Sequence, residues 1–86
     1  MSVSNTLKQR QKTHGSFTDH AAMAQGLKDQ MKLGKNWDNL TPVQKEALEM
    51  IQHKVARVLS GNPNEPDHWH DINGYSSLAE QECRAN

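Results

Sequence analysis

One cysteine, one phenylalanine, one tyrosine and three prolines are all that the 86 residues hold of these types. The single cysteine, Cys83, excludes an intrachain disulfide and a cysteine-based zinc cluster, and it points to a reducing compartment, the cytoplasm. The longest clearly apolar run, Ala21-Ala22-Met23-Ala24, is far too short for a signal peptide or a membrane span, so no membrane partner is expected. Net charge is missing too. Ten basic and ten acidic side chains cancel, which leaves no overall field to draw in a nucleic-acid backbone. Internal repeats, strand-like alternation and a phosphate-cradling glycine loop are likewise absent from the sequence.

What is present is helical periodicity. Hydrophobic residues make up 34% of the chain but gather in periodic segments, which argues for a folded domain over disorder. A short first helix is expected over 5–12, closing near His14-Gly15, where glycine can take the left-handed conformation that ends a helix. Ser16 and Asp19 form a variant capping box before a second helix over 18–33, whose apolar face is Phe17, Ala21, Ala24, Leu27 and Met31. Thr41-Pro42 with Gln44 is a stronger start, for a helix over 42–59 with a core face of Ala47, Leu48, Ile51, Val55, Val58 and Leu59. After the proline-bearing connector Asn62 to Pro66, a fourth helix is expected over 67–82, fraying after Glu82 and presenting Trp69, Ile72, Ser76, Ala79 and Cys83 on one side.

The chain therefore reads as one all-α domain over residues 1–86, a three- to four-helix antiparallel bundle with short connectors. A single core of this size rarely supplies more than about 3–5 kcal/mol, so completion or reinforcement by a homo-oligomer is expected.

The most suggestive polar stretch is Asp67-His68-Trp69-His70-Asp71. On a helix Asp71 falls at the rim of the apolar arc with His68 beside it, so both should be partly buried, while His70 faces water. A half-buried carboxylate needs a partner: a basic side chain such as Lys54 or Arg57, or a metal ion. Asp67 lies one turn earlier, where it caps the helix or shares a hard cation with Asp71. His68 and His70 project to different sides and do not suit zinc. Glu46, Glu49, His53 and Arg57 form a stripe opposite the expected core of their helix, which reads as water-facing, and Lys8, Arg10 and Lys12 read as a solvated face. His14 is a helix terminator or a ligand.

The order His14-Gly15-x-Phe17, Lys54-Val55-Ala56-Arg57 and Asp67-x-Trp69-x-Asp71-Ile72-x-Gly74-Tyr75 resembles small phage and prophage proteins of unassigned function. These in turn resemble the MazG-like all-helical nucleoside triphosphate pyrophosphohydrolases. The resemblance implies Mg²⁺-dependent nucleotide binding, with cleavage to monophosphate and pyrophosphate, in the cytoplasm of a host cell. Carried onto this chain, Glu46-x-x-Glu49 matches one acidic pair of those enzymes, and the second pair reads His68-x-x-Asp71 with Asp67 one position earlier. Glu46, Glu49, Asp67 and Asp71 would then hold the metal, while Lys54, Arg57, His68 and His14 face phosphate; no catalytic base is assigned. A different class stays open beside this one, a non-enzymatic helical oligomer or adaptor that binds a host or phage protein.

Overall fold

The computed structural model describes residues 3–85. The domain expected over 1–86 also takes in residues 1, 2 and 86, which lie outside the described residues. Four α-helices follow one another, α1 (Val3–His14), α2 (Phe17–Lys32), α3 (Pro42–Ser60) and α4 (Pro66–Ala85), and no strand occurs among the described residues.

Local signals set the boundaries. Gly15 has φ +81° and closes α1 by donating its N–H to Gln11 O at 3.0 Å. Ser16 caps α2 by accepting the Asp19 N–H at 3.1 Å. Thr41 and Gln44 form a reciprocal capping box at the start of α3, with Pro42 in the first turn, where its missing N–H matters least. The Thr41 hydroxyl also donates to Glu82 Oε2 at 2.7 Å, tying the end of α4 to the start of α3. α4 does not fray after Glu82 but runs to Ala85, and Arg84 reaches back to Glu80 at 2.8 Å in an i,i+4 pair.

The interior departs from the expected apolar faces. Among the described residues the buried apolar side chains are three alanines, Ala24, Ala47 and Ala56, and four polar residues are buried beside them, His20, Gln52, Lys54 and His68. On α3, Leu48 and Leu59 are exposed, while Ile51, Val55 and Val58 are half-buried. The cause is position: α3 packs against both α2 and α4. At roughly 100° per residue, Ala47 and Lys54 share one flank of α3, and Gln52 and Ala56 share the opposite one. Two flanks are buried, so a single apolar arc between them is left half uncovered. Phe17 on α2 is 79% exposed and Trp69 on α4 is 56% exposed. The Trp69 indole N–H donates to Pro63 O at 2.9 Å and braces the connector.

Candidate functional site: a basic cleft at the junction of three helices

The end of α1 is pressed backbone to backbone onto the end of α3. A Cβ on Gly15 would lie 1.8 Å from Ser60 O, and one on Gly61 would lie 2.4 Å from the carbonyl carbon of His14. Only glycine permits this approach. The Thr13 carbonyl completes the joint, accepting the Asn62 N–H at 3.0 Å and pairing with His68 Nε2 at 3.1 Å. His68, 2% exposed, is therefore a tie between α4 and α1 in the interior, its ring 5.3 Å from that of His14.

This joint creates a cleft of about 280 Å³ between α1, α2 and α3. Arg10 and His14 reach it from α1, His20 from α2, and His53 and Arg57 from α3, with Leu7 and Phe17 at its apolar edge. None of its lining residues is acidic. His20 and His53 meet edge to face with ring centroids 4.6 Å apart. The Nδ1 atoms of His14 and His20 are buried with no hydrogen-bond partner, and His20 as a whole is only 7% exposed. Buried polar atoms in folded proteins are nearly always bonded, so two orphans in one cleft are informative.

Burial, followed by repulsion from Arg57, lowers the pKa of all three imidazoles, that of His53 to about 4. At neutral pH the cleft holds three uncharged imidazoles beside two guanidiniums. Arg57 is itself held below its ordinary value, first by burial, with the charge of Asp71 acting in its favour.

The pKa shifts have a consequence for stability. A histidine whose folded pKa lies below its unfolded value of about 6.5 leaves the unfolded chain with more protons at pH values between the two. Stability is then complete above that range and is lost as pH falls from about 6.5 toward about 4, the value for His53. Urea denaturation at pH 7.5 and pH 5 should differ by an amount on the order of 1–2 kcal/mol, allowing for solvent screening, and His53→Gln should shrink the difference. Equal stability at the two pH values would contradict it.

The other sequence candidates lie elsewhere. Lys54, buried, is paired with Asp71 at 2.9 Å, so of the partners considered for Asp71 the structure shows the lysine. The hydrogen bond from Lys54 holds the Asp71 carboxyl below the usual carboxylate range, against the opposing effect of burial. Glu46 and Asp67 are exposed and Glu49 is half-buried. Among the described residues no three His, Cys, Asp or Glu side chains are grouped so as to hold a metal ion. One of the four carboxylates, Asp71, is thus already bonded to an ammonium.

Of the sequence candidates, Arg57 and His14 are the two that line this cleft. Arg10, His20 and His53 are the additions. His20 carried a legible signal, since it shares the spacing of Ala24, Leu27 and Met31 on the inner face of α2. His53 carried none, because it lies on a stripe that looks solvent-facing until other helices approach it, and Arg10 stays exposed at the cleft edge.

The family model for DUF6378, a domain of unknown function, matches residues 2–83, and the chain belongs to that family. No curated protein matches the chain, and no solved structure does.

Proposed function

We propose that this DUF6378 protein is a helical oligomer that binds a nucleotide by its phosphates in the α1–α2–α3 cleft. The observation that carries the reading is the lining: Arg10 and Arg57 beside three imidazoles, two of them with orphan nitrogens, and no acid. Guanidinium groups suit phosphate oxygens because they present forked, permanently charged donors. Leu7 and Phe17 add an apolar edge for a base. The resemblance to phage proteins and to MazG-like enzymes supports a nucleotide as the phosphate carrier. In this reading Mg²⁺ enters with the phosphates as their counter-ion. The reading stops at binding, because Asp71, one of the carboxylates that would organise hydrolysis, is paired with Lys54.

An antiparallel arrangement of the helices is supported by Thr41–Glu82 at one end of the α3–α4 pair and Lys54–Asp71 further along it. Oligomerisation is supported by the interior. Three alanines make a very small core, while Leu7, Phe17, Leu33, Leu59, Trp69 and Leu78 are each more than half exposed. The radius of gyration, 14.7 Å, exceeds the roughly 12 Å expected of a compact chain of this length. Sedimentation is expected to give a mass above that of one chain, with a melting temperature that rises with protein concentration.

Thermal-shift measurements with nucleoside mono-, di- and triphosphates, each with and without Mg²⁺, test the binding. Ligand at 100 times its Kd should stabilise the fold by about 2.7 kcal/mol. No shift with any nucleotide would remove the reading. It would leave the exposed apolar side chains favouring the second class, an adaptor that docks a host or phage protein.

A further inference from the structure

We propose that the cleft is a site for a terminal phosphate monoester bound together with a proton, and that it discriminates against sulfate and phosphodiesters. This deepens the nucleotide reading and rests on it only for the place of the ligand. A neutral imidazole offers one donor and one acceptor, and three imidazoles line the cleft beside Arg10 and Arg57, with Nδ1 of His14 and of His20 buried behind that lining and without a partner in the protein.

An anion without a proton offers acceptors alone. It is well served by Arg10 and Arg57, but each of the three neutral imidazoles has a single N–H to give, and a ring that turns its acceptor nitrogen to the anion meets another lone pair. A phosphate monoester is different, because its second pKa is about 6. Near neutrality it either donates a P–O–H to the imidazole or passes that proton across, leaving an imidazolium against a dianion. The same atoms, and one proton more than in the free dianion and neutral imidazole, are present in both descriptions. Sulfate and phosphodiesters have no titratable proton in this range.

The surroundings of the three rings make the proton depend on the ligand. His14 is acted on by Arg57, His68, Lys54 and Arg10, and His20 by Arg57. His53 is acted on by Arg57, His20, Lys54 and Lys28. Every one of these groups is basic, so none helps an imidazole to charge in the empty cleft. A bound dianion supplies the missing negative charge, and by linkage the proton strengthens the anion as much as the anion strengthens the proton.

Calorimetric titration of the full chain at pH 7, in buffers of different ionisation enthalpy, tests this with inorganic phosphate, a nucleoside monophosphate, sulfate and dimethyl phosphate. Phosphate and the nucleotide are expected to bind with uptake of up to about one proton. Sulfate and the diester are expected to bind at least about tenfold more weakly. His20→Gln and His53→Gln, checked for retained helical signal, should each lessen the preference for phosphate over sulfate. Equal binding of sulfate and phosphate without proton uptake would overturn this inference and leave the nucleotide reading standing. A preference that survives in both variants would overturn its assignment to the imidazoles, and absence of binding by every phosphate compound would overturn both readings.

Discussion

Arg57→Ala is expected to abolish most phosphate-dependent stabilisation while leaving the unliganded fold at least as stable as before. Arg57 is half-buried, and burial disfavours its charge; it makes no ion pair among the described residues. Burial outweighs the attraction of Asp71 at this cation, so removing it does not weaken the unliganded fold. Binding is another matter, because charge-assisted hydrogen bonds to a phosphate contribute about 1.5–3 kcal/mol, or roughly 10- to 150-fold in Kd. Arg57→Lys keeps the charge but loses the fork, so it should fall between.

The substitution has a second readout. Repulsion from Arg57 contributes to the lowered pKa of His14, His20 and His53, so the acid sensitivity of the unliganded protein should also diminish. Unchanged nucleotide affinity in Arg57→Ala would place the ligand, if one binds, outside the cleft.

Gly15→Ala is expected to disrupt the fold itself. The position has φ +81°, which a residue with a Cβ adopts at a cost of about 1–2 kcal/mol. The added carbon would also fall 1.8 Å from Ser60 O and 2.5 Å from Ser60 C. Both are backbone atoms, so relief requires α1 and α3 to part, taking with them the Asn62–Thr13 and His68–Thr13 bonds. The total should reach about 3 kcal/mol or more, comparable to what a domain of this size has.

α1 has no buried residue of its own, so this joint is its principal anchor. Circular dichroism of Gly15→Ala should show reduced helix content and a broadened, lowered melt, and phosphate binding should vanish with the detached Arg10 and His14. A melting temperature equal to that of the parent would contradict the close approach. The two variants thus remove the same binding by different routes, Arg57→Ala through chemistry and Gly15→Ala through architecture.

The pattern of what was legible follows from range. Helix starts and stops are written in short stretches of sequence, and Ser16, Gly15, Thr41, Pro42 and Gln44 all act within four residues of themselves. The Lys54–Asp71 pair was legible for a related reason, since each residue borders the apolar arc of its own helix and a buried charge must find its opposite. The cleft was not, because His14, His20, His53 and Arg57 converge only when α1, α2 and α3 pack together. The stripe containing His53 and Arg57 reads as solvent-facing when the single apolar arc is the buried side of α3. A helix flanked on two sides buries what periodicity assigns to its edges, here Gln52 and Lys54, and leaves leucines outside.

The acidic stretch at the start of α4 changes its meaning accordingly. Asp71 is a structural partner of Lys54, His68 is an interior tie to Thr13, and His70 is exposed. The proposed binding chemistry lies instead in the basic cleft.

The most direct test of that claim is a ¹⁵N NMR titration of the five histidine side chains with a nucleoside monophosphate near pH 7. His14, His20 and His53 are expected to shift toward the protonated imidazolium or hydrogen-bonded state as the ligand saturates, while exposed His70 stays where it is. Shifts confined to His70, or no change at any cleft histidine while the nucleotide demonstrably binds, would contradict the account.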